Sequence, residues 1–138
     1  MSDRAQLFRV LPDTLPAADA RVRPHIEKMA AGSSGRYLAD DIFAGIASGQ
    51  FQLWVVLRGH DLLCVLVTSI ETFPQIREMR MIGASGRDYK AWIPLFPELE
   101  TIAREHFGCA RIAALHLPRF RHALPGYLTT HWLSEKAL

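Results

Sequence analysis

The spacing of apolar positions changes period several times along this chain, and each change marks a new element. Residues 6–11 predict a first strand, closed by Pro12. Residues 17–31 carry a helical pattern with Asp19 as a candidate N-cap; Pro24 moves the expected start toward Arg23, because proline belongs in the first turn. Gly32-Ser33-Ser34-Gly35 breaks the chain. In residues 36–48, Leu38, Ile42 and Ile46 lie on one face of a second helix that Gly49 ends.

The period then falls to two. Phe51, Leu53, Val55 and Leu57 alternate with Gln52, Trp54 and Val56, which predicts a strand. Arg58 to Asp61 turn the chain, and residues 62–70 form a nearly continuous apolar run, as expected of a central strand covered on both faces. The pair makes an antiparallel hairpin, and residues 76–82 add a third strand. Gly83-Ala84-Ser85-Gly86 reads as a turn into the longest helix. Its stripe is Trp92, Leu95, Phe96, Leu99, Ile102, Ala103 and His106; Pro94 and Pro97 place its regular part after residue 96, and Gly108 stops it. A strand over 109–117, a short helix over 119–124, a turn at Pro125-Gly126 and a last strand over 127–137 complete the chain.

The order β-α-α-β-β-β-α-β-α-β predicts one α/β domain (mixed α+β) over residues 1–138, with a mostly antiparallel sheet and helices on both faces. A right-handed crossover would make the strands at 76–82 and 110–117 parallel. Composition agrees with a globular domain: 49% hydrophobic and 22% charged residues leave neither the polarity of a disordered chain nor an apolar run of membrane-spanning length. No secretory leader is expected from Met1-Ser2-Asp3-Arg4, and Cys64 and Cys109 read as buried thiols, so a cytoplasmic location is expected. A net charge of +2 does not call for nucleic acid. His106 and Cys109 lack the further ligands a zinc site needs, so no metal is expected.

Several local patterns carry a resemblance. They are Gln52-Leu53-Trp54, Val67-Thr68-Ser69-Ile70 followed by Phe73-Pro74, Gly83 to Asp88 with Trp92, Ala103-Arg104-Glu105 with Gly108-Cys109, and Leu124-Pro125-Gly126-Tyr127. With the element order, they resemble the GNAT (GCN5-related N-acetyltransferase) fold, in the small form that phages and prophages carry. That resemblance implies a bacterial host cytoplasm. It also implies acetyl-CoA as co-substrate and transfer of acetyl to an amine on a small molecule or protein. The pantetheine arm would pair with backbone groups of Met81, Ile82 and Gly83, and the pyrophosphate would lie on the turn before the long helix.

Residue chemistry bears on the same place. Small residues at a strand-to-helix turn let backbone N–H groups approach an anion, and Gly83, Ala84, Ser85 and Gly86 with the cation Arg87 fit that use. The alternative is that two glycines merely permit a tight turn. The turn departs from the family's Arg/Gln-x-x-Gly-x-Gly/Ala pattern, and Asp88 puts an acid beside the expected phosphate. Acetyl transfer needs a base, for which Glu78 and Glu71 are candidates against a solvated ion pair with Arg77 or Arg80. It needs a proton donor for the thiolate, for which Tyr127 and His122 are candidates against simple packing of Tyr127 on the sheet. The rival reading is a non-catalytic GNAT-fold protein that serves as a structural or host-protein-binding module. A homodimer through the exposed edge of the last strand is a further expectation.

Overall fold

The computed structural model describes residues 4–114, 126–127 and 135–138. Among these residues, five strands form one sheet in the order β1-β2-β3-β4-β5. They are β1 Ala5–Val10, β2 Phe51–Arg58, β3 Asp61–Thr72, β4 Arg77–Gly86 and β5 Arg111–Ala114. The first four run antiparallel to their neighbours, and β5 is parallel to β4, as the crossover rule requires. Four α-helices are α1 Leu15–Ala31, α2 Ala39–Ser48, α3 Tyr89–Trp92 and α4 Phe96–Phe107.

The alternation in β2 and β3 sends side chains to two cores. Phe51, Leu53, Val55, Val65 and Val67 face α1 and α2, where they meet Val22, Ile26, Ile42 and Ile46. Trp54, Val56, Cys64 and Leu66 face the other way, onto Phe96, Leu99 and Ala103 of α4. The run at 62–70 is apolar throughout because both of its faces are covered. Each fully buried Ile or Leu contributes on the order of 1.5–3 kcal/mol.

The helices depart from the sequence reading in two places. Helix α1 is continuous from Leu15, with Pro24 inside it and Pro16 in its first turn. Pro24 and Ala20 are not buried, so the carbonyl that loses its N–H partner can be hydrated. Asp19 is no cap; it lies within the helix, paired at 2.8 Å with Arg23 one turn later. Helix α2 starts at Ala39 rather than residue 36, because the Leu38 N–H donates to Asp41 Oδ2 at 2.8 Å and sets the start there. Gly49 and Gly108 end α2 and α4 in the left-handed conformation, with φ of 83° and 66°.

The largest correction concerns residues 83–86. They are not a turn but the last four residues of β4, paired with Val67, Leu66, Val65 and Cys64 of β3. Strand β3 is 12 residues long and offers a partner that far, so the ladder continues where the residue types suggested a break. The corner falls at Arg87-Asp88, and α4 begins only at Phe96, after α3 and a 3-10 turn at Ile93–Leu95. The predicted short helix at 119–124 and the end of the strand at 115–117 lie outside the described residues. Most of the predicted last strand lies there too, while Tyr127 and residues 135–138 are not in a strand. The edge expected to form a homodimer therefore has no described counterpart. Among the described residues, no helix is long and apolar enough to cross a membrane.

Candidate active site

The centre of interest is the middle of β4. The β3–β4 register slips between Val67 and Thr68: Thr68 faces Met81, Val67 faces Gly83, and Ile82 is the extra residue of a β-bulge. The bulge inverts the alternation after it. Before it, Met79 and Met81 face the α4 core. After it, Gly83 and Ser85 face α1, and Ile82 packs on the α1–α2 core. Strand β5 pairs with β4 from Glu78–Arg111 to Met81–Ala114, just before the bulge.

A buried polar chain stands behind the bulge. Trp54 Nε1 donates to Thr68 Oγ1 at 2.9 Å, and Thr68 Oγ1 donates to Gln52 Oε1 at 2.9 Å. All three residues are buried, and Gln52 and Thr68 are directly opposed in the β2–β3 ladder. Satisfied networks of this kind define one geometry, because breaking any member strands a buried polar atom. This gives Gln52, Trp54 and Thr68 a physical role next to Met81.

The candidate base Glu78 is buried on the α1–α2 side of the sheet, the face opposite to Met79. Its carboxylate accepts from Arg80 Nη2 at 2.9 Å and Nε at 3.1 Å. Glu71 is its cross-strand partner and accepts from Ser69 Oγ at 3.1 Å. Arg111 is its partner on β5. Two carboxylates and two guanidinium-bearing residues thus share one face of three adjacent strands.

Tyr127 lies on the other side. Its ring packs in the α4 core, 6.4 Å from the ring of Phe96. Its hydroxyl is shut off from solvent and has no hydrogen-bond partner in good geometry among the described residues. Burial, with the Glu100 carboxylate nearby, pushes the phenol above its ordinary value. Glu78 and Tyr127 therefore lie on opposite faces of the sheet. His122 lies outside the described residues.

The small residues of β4 turn out to serve packing. A Cβ on Gly83 would lie 2.8 Å from Cγ and Sδ of Met29 on α1. A Cβ on Gly86 would lie 2.3 Å from the Leu63 carbonyl oxygen. Ser85 is buried, and its hydroxyl meets His25 Nδ1 of α1 at 2.9 Å. Ala84 is exposed opposite Leu66. At the corner, the Arg87 N–H donates to Leu63 O at 2.9 Å, and its side chain is exposed. Asp88 is held by Arg58 at 3.2 Å, so the acid beside the expected phosphate is neutralised from β2. Sequence reasoning missed His25 because 60 residues separate it from Ser85. No local signal links them.

The fold is that of the GNAT acetyltransferases. The chain superposes on an aminoglycoside acetyltransferase from an uncultured soil metagenomic sample, in complex with sisomicin, with a TM-score of 0.67 at 9% identity, covering 97% of this chain and 96% of the other. A GCN5-related N-acetyltransferase from Ralstonia eutropha matches with a TM-score of 0.67 at 14% identity, over 96% of this chain and 98% of the other. A ribosomal-protein-alanine N-acetyltransferase from Brucella melitensis biovar Abortus matches with a TM-score of 0.67 at 10% identity, over 97% and 98%. No family model matches the sequence, and no curated protein sequence is detectably similar to it. The names of these three structures give no support to a phage origin.

Proposed function

We propose that the chain is an N-acetyltransferase that uses acetyl-CoA and an amine acceptor. The observation that carries this is the Ile82 bulge in β4, on the strand that pairs in parallel with β5. A bulged residue steps out of the ladder, so its backbone groups can serve a ligand. An extended thioester arm would lie along the β5 side of Ile82, Gly83 and Ala84, using main-chain rather than side-chain groups. That placement agrees with the glycine contacts, since Gly83 and Gly86 are closed by Met29 and Leu63 on their other sides. Arg87 is the cation nearest the expected pyrophosphate.

In this reading Glu78 removes the proton from the acceptor amine. Its burial keeps it from bulk water, and Arg80 holds its orientation. Tyr127, in the α4-side core, is the candidate proton donor to the leaving thiolate. The acceptors named for the structural neighbours, an aminoglycoside and a ribosomal-protein alanine, point only to an amine.

A second reading keeps the fold without the chemistry, as a protein-binding module. It is favoured by the contacts of Gly86 and Ser85, which are accounted for inside the fold. Calorimetric titration with acetyl-CoA separates the two. Micromolar binding supports the enzyme, and a ligand at about a hundred times its Kd should add roughly 2.7 kcal/mol of stability. Absence of binding at millimolar ligand favours the module.

A further inference from the structure

The opposite edge of the sheet holds a second feature. The β1–β2 register places Leu7 beside Val56 and Arg9 beside Trp54, on the face that α4 covers. Helix α4 contributes Ile102 and His106, one turn apart, and then Phe107. These residues line an open cleft of about 280 Å³: Leu7, Arg9, Trp54, Ile102, His106 and Phe107. Strand β3 separates it from β4, and the only residue it shares with the polar chain behind the bulge is Trp54.

Its chemistry is one-sided. Four lining residues are apolar or aromatic, two are basic, and none is acidic. The Arg9 guanidinium carbon stands 5.9 Å from the ring centre of Trp54 and 5.3 Å from that of Phe107. Both distances fit cation–π contact. The Trp54 N–H is already spent on Thr68, so the indole has no donor to offer the cleft. Among the described residues Arg9 makes no ion pair, although Arg23, Arg36, Arg58 and Arg80 all do. His106 sits in the last turn of α4, where the helix carbonyls favour a donor or a cation.

We infer that this cleft binds a small aromatic carboxylate. The ring would lie among Leu7, Ile102, Trp54 and Phe107, and the carboxylate would take the two-pronged Arg9 guanidinium with His106 alongside. The volume is at the lower end of ligand pockets, which limits the occupant to one or two rings. Reversible association forms no covalent bond, and the site is independent of whether acetyl-CoA is a substrate.

The test is calorimetric titration with 1-naphthoate and with its uncharged counterpart 1-naphthalenemethanol. The expected result is a naphthoate Kd on the order of 0.5 mM. Binding of the alcohol, and of naphthoate to Arg9→Gln, should each be weaker by about tenfold or more. Arg9 is exposed, so this variant should stay folded, its thermal midpoint lowered by no more than about 8 °C for the lost cation–π contacts, which a melting curve verifies. His106→Gln should weaken naphthoate about threefold, as one hydrogen bond to a charged group is lost or made poorer. Silence at about 10 mM naphthoate would overturn the proposal, as would equal affinity for the alcohol or equal affinity in Arg9→Gln.

Discussion

Ser85 of β4 and His25 of α1 meet through a hydrogen bond of 2.9 Å between Oγ and Nδ1, and this contact ties the first helix to the far end of the strand that carries the candidate site. Burial, helped by the nearby Lys28 charge, holds the His25 imidazole below its ordinary value. The unfolded chain therefore binds a proton that the folded chain resists. Stability linked to His25 is full above the unfolded value near 6.5 and is lost as pH falls from there toward the lower folded value. Urea unfolding at several pH values between 5 and 8 should show a steeper acid-side loss for the parent than for His25→Gln. Parallel curves would show that His25 is not the responsible group.

The same hydrogen bond has a direct cost when removed. Ser85→Ala should destabilise the fold by about 1 kcal/mol, and the double variant with His25→Gln should cost less than the sum of the two single changes. Strict additivity would mean that the two side chains do not interact in solution.

Two glycines of β4 should respond differently to the same substitution. At Gly83 the new Cβ meets only the flexible Met29 side chain, so Gly83→Ala should cost no more than about 1–2 kcal/mol, and Met29→Ala should relieve part of that. At Gly86 the new Cβ meets the Leu63 carbonyl oxygen and the Cys64 Cα, which are backbone atoms and cannot step aside. Gly86→Ala should cost clearly more, about 3 kcal/mol or above, or prevent folding. Equal denaturation midpoints for the two variants would contradict the close approach of β3 to β4 at Gly86.

Tyr127→Phe distinguishes catalysis from packing. The variant removes a buried hydroxyl with no partner in good geometry among the described residues, so stability should hold or rise by up to about 1 kcal/mol. If Tyr127 protonates the leaving thiolate, the same variant lowers kcat at unchanged acetyl-CoA affinity. Glu78→Gln should lower turnover by about 10²-fold or more with the acetyl-CoA Kd intact. Unchanged turnover in Glu78→Gln would remove that residue from the mechanism.

The two cysteines offer an independent check of the core. Cys64 is fully buried, and burial raises its thiol to about 12; Cys109 is raised by burial as well. Neither should react readily with a thiol reagent at pH 8 while the chain stays folded, and both should react once urea unfolds it. Rapid labelling of Cys64 under native conditions would place it at the surface and contradict the α4-side core.

Much of the architecture follows from local pattern. The period-two run from Phe51, the apolar run at 62–70 and the helical stripe ending at Gly108 state their own conformation, because burial on one or both faces must repeat with the backbone. Gly49 and Gly108 mark helix ends since only a residue without a Cβ adopts their backbone angles at little cost. From these alone come the mixed sheet, the element order and the parallel fifth strand.

The site is another matter. Gly83, Ser85 and Gly86 look like a turn in isolation, and only pairing with a 12-residue β3 keeps them in the strand. The Ile82 bulge is a slip of register between two strands, so it has no signature within either. The contacts Ser85–His25, Gly83–Met29 and Asp88–Arg58 join residues far apart in the chain. What the sequence determined by itself is each element's conformation and which of its faces is apolar, since those are set by neighbours along the chain. Which charged, small and aromatic side chains meet, and on which side of β4, was decided by the tertiary structure, because only packing fixes register and brings distant residues into contact.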